Sequence, residues 1–269
     1  MDHMAHLGRA GRRPNATCQV DAMSIPLEPI SQIVLDHLVP VLSAGGFVQV
    51  PGRSGMTTFE RVFSNGAHRL SWRIDSKETD LTLAVFLYTR QDEVLNALER
   101  CQPGLAASFD GDLINWPIHG LVLEGGLDFA RLVYSDIEST GIALSHVQAT
   151  RARRLEGLSI ALKELVFPRL IFAETVPTLR ELILTETERR FGVHPDVRVS
   201  ILVLMWMRDD RAEVVAKWWR KDLVQEVEEA RAVQHSRIMG AGNLAVMERK
   251  LAKFDRFVVA ARELTATLR

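Results

Sequence analysis

The sequence predicts an α+β protein, in which an antiparallel β-meander of three to five strands with helices precedes a helical C-terminal half that ends in a long antiparallel helix pair. Residues 57–63 and 68–74 alternate apolar and polar side chains, which is the period of a half-buried strand, and Asn65-Gly66 lies between them as a hairpin signal. Residues 244–268 instead repeat apolar side chains at steps of three and four, which is the period of a helix.

The charge balance, the number of cysteines and the length of the apolar runs exclude several classes of protein. Thirty-three basic and 34 acidic residues leave a net charge of −1, so we expect no general attraction to nucleic acid or anionic lipid. The two cysteines, Cys18 and Cys101, are too few for a disulfide framework and lack metal-ligand spacing. No apolar run approaches the roughly 20 residues of a membrane-crossing helix. These features predict a cytoplasmic protein.

The chain divides into three parts by pattern. Residues 1–24 have no apolar core segment and are predicted to be a disordered tail rather than a secretory signal. Residues 25–145 are predicted to form an α+β domain, and residues 146–269 a helical domain packed on it. The period of the apolar side chains changes to helical near residue 147, and this change sets the boundary.

The first domain begins with a helix that ends at Gly45-Gly46 and continues into the strands. In the strand 68–74, we expect Leu70, Trp72 and Ile74 to point inward and His68, Ser71 and Arg73 to point outward. Residues 81–88 are apolar on both sides, as in a central strand. A helix is predicted over 91–104 and a strand over 118–123, whereas residues 127–145 show no clear period.

The second domain reads as helices throughout. One is predicted to end at Pro168 and the next to run from Pro177 to Gly192. Residues 197–207 suit a strand or a buried helix, and the capping residues Asp209 and Asp210 that follow favour a helix. The apolar seam of the last helix needs a partner, either the preceding helix or, in a homodimer through 243–268, a second copy of the chain.

The glycine-rich stretch 45–55 raises the question of a phosphate or nucleophile loop. It lacks the lysine of G-x-x-x-x-G-K-[ST], and Gly55 follows Ser54 one residue too early for G-x-S-x-G. It also runs from strand to strand rather than into a helix, where an anion would be held. We therefore interpret it as a hairpin connection.

Four sets of residues have a possible chemical role beside a structural one. Glu60, Asp75 and Lys77 match the acid…acid-x-lysine pattern of a metal-dependent nuclease, although solvated strands and turns have the same composition. Asp110 and Asp112 suit a metal ion or an ordinary turn. Two further sets supply residue types only: a triad of Ser54, His68 and Asp75, and a nucleic-acid surface of Arg151, Arg153, Arg154, Lys217, Trp218 and Arg220.

The order of several segments resembles an uncharacterised bacterial domain-of-unknown-function family. The likeness rests on a helix ending in Gly-Phe at 39–47, "TFERVF" at 58–63, "LSW" at 70–72, "GDLINW" at 111–116 and a two-helix unit at 200–219. Residues 127–145 and the final helix depart from that pattern. The resemblance implies a small intracellular α+β module that binds a partner, and it carries no catalytic residues.

No complete catalytic or cofactor motif occurs, so we expect a non-catalytic intracellular protein-binding module, of which an immunity protein is one kind. The alternatives are a metal-dependent nuclease or phosphodiesterase and a nucleic-acid-binding accessory protein. No cofactor and no membrane association are expected. The sequence does not predict the identity of the partner.

Overall fold

The computed structural model describes residues 27–52, 55–77, 80–109, 113–134, 141–186, 195–233 and 241–268. The predicted tail 1–24 lies outside them. The first half contains α1 (Leu27–Ala44), β1 (Val48–Val50), β2 (Thr57–Phe63), β3 (Gly66–Lys77), β4 (Asp80–Gln91), α2 (Asp92–Cys101), α3 (Leu105–Ser108), β5 (Ile114–Trp116), α4 (Ile118–Glu124), α5 (Leu127–Val133) and β6 (Ile142–Ala143).

The second half is helical. It contains α6 (Gln148–Ala161), a π-helical turn (Leu162–Val166), α7 (Phe167–Leu170), a 3-10 turn (Ile171–Ala173), α8 (Val176–Glu186), α9 (Val197–Trp206), α10 (Arg211–Ala232) and α11 (Ala241–Thr267). The prediction of an α+β fold with a helical C-terminal half is confirmed.

The strands form one antiparallel sheet in the order β1-β2-β3-β4-β5, and β6 pairs with β4 near its start. The meander β1–β4 follows the chain order, because each connection is a hairpin. The buried apolar side chains form one cluster that runs from Ile30 in α1 to Leu264 in α11. The core is therefore continuous across the predicted domain boundary near residue 145, which itself stays a prediction.

The β2–β3 hairpin is present, but its turn lies one residue earlier than Asn65-Gly66 predicts. Phe63 pairs with Gly66, so Ser64 and Asn65 form the turn, and neither has a positive φ. Gly66 serves a different purpose. A Cβ there would lie 2.1 Å from the carbonyl oxygen of Arg90 on β4, so only glycine allows the two strands to approach this closely.

The prediction of a strand over 118–123 is wrong. That segment is α4, and the strand precedes it at 114–116. Ile118, Leu121 and Val122 are buried on one side of α4, at the three- and four-residue steps of a helix, and Pro117 stands just before its first turn. The unassigned residues 127–145 form α5 and the short β6, with 135–140 outside the described residues.

The helix predicted to end at Pro168 continues past it. The π-helical turn Leu162–Val166 precedes α7, and the backbone N–H of Phe167 reaches back five residues to the carbonyl of Leu162. Proline lacks an N–H and crowds the preceding turn of a regular α-helix. A wider turn just before Pro168 relieves that conflict, so the helix continues past the proline instead of stopping.

The connection between α9 and α10 confirms the capping role of one predicted residue. The Asp209 carboxylate accepts from the backbone N–H of Arg211 at 3.1 Å and from the guanidinium groups of Arg180 on α8 and Arg211. The hydrogen bonds from Arg211 hold the pKa of this carboxyl well below its usual range. Asp209 thereby ties α8 to the α9–α10 turn.

The last two helices form the predicted antiparallel pair. Four ion pairs join them, and the residue number falls along α11 as it rises along α10, as in an antiparallel pair. They are Glu213–Arg262, Arg220–Asp255, Glu226–Lys250 and Arg231–Glu248. The middle of the apolar seam is buried against helices of the same chain, including Phe254, Val258, Ala261 and Thr265. Homodimerisation through 243–268 stays a prediction, and it would have to use the exposed, charged side of α11.

Candidate functional site

The sheet has two different faces because successive side chains of a strand point to opposite sides. On β4, Leu81, Leu83, Leu87 and Thr89 are buried toward the helices, whereas Thr82, Ala84, Phe86, Tyr88 and Arg90 alternate with them and are half-exposed. This second face lines a groove of about 900 Å³. We call it the sheet groove and treat it as the candidate functional site.

Two aromatic rings lie at the centre of the sheet groove. Phe86 and Tyr88 project from the same side of β4 with ring centroids 6.5 Å apart and planes inclined by 3°. The guanidinium carbon of Arg73, on the neighbouring β3, lies 5.7 Å from the centroid of the Phe86 ring. Aromatic rings beside an arginine are the side chains most often found at the energetic centre of protein interfaces.

Ion pairs on β2 and β3 flank the rings. Arg69 donates to Glu60 across the strands at 3.1 Å, since the two residues are direct neighbours in the register. Arg73 donates to Asp75 at 3.1 Å. Asp196 adds a further carboxylate to the wall of the groove. Each arginine of the groove therefore has a carboxylate neighbour, and the surface has little net charge.

The rim of the groove includes the glycine-rich bend between β1 and β2. Gly55 has a φ of +77°, and a Cβ on Gly52 would lie 2.3 Å from the carbonyl oxygen of Met56. Both positions therefore require glycine for geometry alone. The described part of this bend connects two strands, as the hairpin interpretation predicts, and residues 53–54 lie outside the description.

The nuclease residues do not come together at one metal ion. Glu60 faces Arg69, and Asp75 lies six residues further along β3, which corresponds to about 20 Å of strand. The side chain of Lys77 lies outside the description. Among the described residues, no group of three or more His, Cys, Asp or Glu side chains is placed to hold a metal. The predicted pair Asp110 and Asp112 lies outside the described ranges.

The basic run on α6 is partly structural. Arg151 donates to the backbone carbonyl of Ser145 at 3.2 Å, and Arg154 donates to that of Ala143 in β6. These two side chains hold the end of β6 against the helix. Arg153 is exposed and lines a separate depression with Asp128 and Arg131 of α5.

The second predicted nucleic-acid patch lies on α10. Arg220 is paired with Asp255 at 2.8 Å, Trp218 is 61% exposed, and Lys217 is exposed. The helix α6 packs on α1 and α5, whereas α10 packs on α9 and α11. The two predicted patches therefore lie on helices that pack against different neighbours.

The prediction that His68 points outward is wrong. His68 is on the same side of β3 as Leu70 and Trp72, and its side chain is fully buried. Asp75 projects from the other side of the strand, so the two cannot form the considered triad with Ser54, which lies outside the described residues. The sequence already indicated the buried position, because residues 68, 70 and 72 are two apart along the strand and therefore lie on the same side of the sheet.

His68 instead joins a network with residues that the sequence did not suggest. Its Nδ1 lies 2.7 Å from Thr89 Oγ1, and its Nε2 lies 3.2 Å from Glu174 Oε1. Trp116 Nε1–H donates to the same Thr89 oxygen at 2.7 Å. Because the Glu174 carboxylate only accepts, the neutral His68 carries its proton on Nε2 and donates it to Glu174. Nδ1 is then an acceptor and receives the hydroxyl proton of Thr89, whose oxygen accepts from the indole.

This network resembles a catalytic triad in residue types but has no access for a substrate. Thr89 and His68 are both fully buried. Burial, and secondarily the charge of Arg61, lowers the pKa of His68 to about 3. Arg61 also forms an ion pair with Glu174, so the guanidinium balances the charge of that carboxylate. The network binds the sheet to the helical half at Glu174 and is structural.

Within the described ranges, no helix has the length and apolar character needed to cross a bilayer. In comparisons with protein-family models, curated proteins and solved structures, no match to this chain is found. The sheet groove is therefore the feature from which a function is inferred.

Proposed function

We propose that this protein is a non-catalytic binding module, and that a segment of a partner protein docks in the sheet groove. The observation that carries the proposal is the pair of half-buried rings of Phe86 and Tyr88, which no helix of the described residues covers. Leu87 and Thr89, which alternate with these rings along the same strand, are fully buried. The two rings are therefore apolar surface that the described residues bury only in part.

The pattern of the groove is that of a protein interface. An apolar centre of Phe86, Tyr88, Val50 and Met56 lies beside the Arg69–Glu60 and Arg73–Asp75 pairs of β2 and β3. Protein interfaces combine an apolar, aromatic centre with a polar rim that excludes water from it. Exposed ion pairs contribute little affinity but select the orientation of the partner.

Charge argues against a nucleic acid as the ligand. Arg69 and Arg73 are already paired with carboxylates, and the further carboxylate of the wall, Asp196, is itself paired with Arg198. A phosphate backbone gains affinity from unpaired cations and is repelled by carboxylates. The separation of Glu60 from Asp75 gives the nuclease alternative no support either. An immunity protein that blocks one toxin is a specific form of the proposed module and stays a prediction, as does a cytoplasmic location.

Affinity capture from the native host tests this function. The bait is the full chain, and the groove variant is the double substitution Phe86→Ala and Tyr88→Ala. We expect the wild type to retain a specific partner and the variant to bind it at least about tenfold more weakly, because central aromatic side chains dominate interface energies. The retained protein is identified by mass spectrometry, and its affinity is measured by calorimetry.

The matched control is Trp218→Ala, which removes an exposed aromatic side chain from α10, outside the groove. It should leave partner binding unchanged. The proposal fails when the groove variant keeps the partner, when the control loses it equally, or when the wild type retains no specific protein. Thermal unfolding of both variants separates lost binding from lost folding.

A further inference from the structure

A second cavity, of about 430 Å³, lies where the two halves of the chain meet. In the first half, its walls come from the α2–α3 connection and α3. In the second half, they come from the start of α9 and from the middle of α10 and α11. We call it the junction cavity. Its volume falls in the roughly 300–1,000 Å³ of small-molecule sites, which often lie between structural units.

The floor of the junction cavity is apolar. Leu105, Leu223 and Phe254 are buried there, and the half-buried Trp219 forms one side. The indole ring of Trp219 offers a flat surface against which a ring or hydrocarbon group can pack.

The wall is basic. It contains Arg198, Lys250 and Lys253 against the single acidic residue Asp196. Arg198 is paired with Asp196 at 2.9 Å, and Lys250 with Glu226 at 2.7 Å. Lys253 is exposed and makes no ion pair with any described residue, so its charge is available to a ligand. The N-terminal end of α9 also lines the cavity, but the Asp196 carboxylate already accepts from the backbone N–H of Arg198 there, so Lys253 is the cation of the wall that remains for a ligand.

We propose that the junction cavity binds a small amphipathic organic anion. Its apolar body packs on Trp219 and the buried floor, and its carboxylate or phosphate lies beside Lys253, with Lys250 and Arg198 nearby. This site differs from the sheet groove because the Lys253 ammonium in its wall has no carboxylate partner among the described residues, whereas Arg69 and Arg73 of the groove each have one. It does not depend on the partner proposed for that groove.

Calorimetric titration of the full chain with three probes tests the proposal. The probes are 1-naphthoate, its neutral analogue 1-naphthamide and inorganic phosphate. We expect naphthoate to bind about tenfold more tightly than naphthamide, which lacks the charge, and more tightly than phosphate, which lacks the apolar body. The indole N–H signal of Trp219, assigned through Trp219→Phe, should shift in the proton NMR spectrum with naphthoate.

Charge reversal locates the site. Lys253→Glu should weaken naphthoate binding by about fivefold or more, since it replaces an attraction by a repulsion. The matched control is Lys221→Glu, which reverses an exposed lysine of α10 that does not line the cavity. Equal binding of naphthoate and naphthamide overturns the proposal, as does an equal loss in both lysine variants. Absence of measurable binding up to about 5 mM also overturns it. If Lys253→Glu does not fold, the probe comparison on the wild type decides.

Discussion

The two faces of the sheet carry similar residue types but pair them in different ways. On the face toward the helices, His68, Thr89 and Trp116 are buried and satisfy one another within the core. On the groove face, Arg69 and Arg73 meet carboxylates at the surface, beside rings that remain half-exposed. A buried polar group must find its partner inside the protein, whereas a surface group can exchange its partner for a ligand.

From this difference we expect the inner face to determine stability, and we propose the groove face for binding. Side chains of the inner face should change the free energy of unfolding when they are truncated. Those of the groove face should change it little and instead alter the affinity for a partner. Alternate residues of a single strand therefore allow matched tests of the two roles.

The largest contrast is expected between Trp72→Ala and Phe86→Ala. Trp72 is buried and stacks on Phe59 at 5.2 Å, so its truncation should lower the free energy of unfolding by about 3–5 kcal/mol. Phe86 is half-exposed in the groove, so its truncation should cost about 1 kcal/mol or less. Urea denaturation followed by circular dichroism measures both. Equal losses would show that the groove face is also part of the core.

The next effect concerns the dependence of stability on pH. The pKa of His68 is about 3 in the folded protein because of its burial, against 6.5 in the unfolded chain. As the pH falls below 6.5, the unfolded chain takes up the proton first, so stability decreases by up to about 1.4 kcal/mol per pH unit until about pH 3.

The variant His68→Gln lacks this titration and is the comparison for that experiment. Its stability should fall less steeply than that of the wild type over the same pH interval, when both are unfolded with urea at a series of pH values. Parallel curves for the two proteins would show that His68 is not buried in its neutral form.

The smallest of the three effects comes from one hydroxyl group. Thr89→Val keeps the shape of the side chain but leaves Trp116 Nε1–H and His68 Nδ1 without their partner, at a cost of about 1–3 kcal/mol. Thr82→Val makes the same change on the groove face of the same strand and should cost about 0.5 kcal/mol or less. Urea denaturation again gives both values, and similar losses would contradict a special role for Thr89.

Much of the fold was predictable because helices and strands depend on the local spacing of apolar side chains. The alternation over 57–63 and the three- and four-residue steps over 244–268 identified the meander and the final helix pair. The exceptions were short. Residues 118–123 have too few apolar positions to separate a strand from a helix, and α4 is only seven residues long.

The candidate site was less predictable because it depends on which strands become neighbours. Phe86 and Tyr88 were part of a segment that read as apolar on both sides, so nothing indicated that one side stays uncovered. Glu60 and Asp75 lie on neighbouring strands, but the strand register places them far apart, because Glu60 pairs with Arg69. Glu174 is 106 residues from His68, and no local pattern could relate the two.

The π-helical turn has a consequence for how the chain can tolerate changes in length. The large buried apolar side chains Leu155, Leu158, Leu162, Val166 and Leu170 advance by three residues once and then by four three times. Each four-residue step would rotate a regular helix by about 40° beyond a full circle, and repeated steps would carry the apolar side away from the core. The π-helical turn contains more residues per turn than an α-helix, so it compensates for that excess rotation and keeps the apolar side chains directed toward the core. Loss of a single residue at this point would misalign everything from Phe167 onward while leaving the composition of the helix almost unchanged.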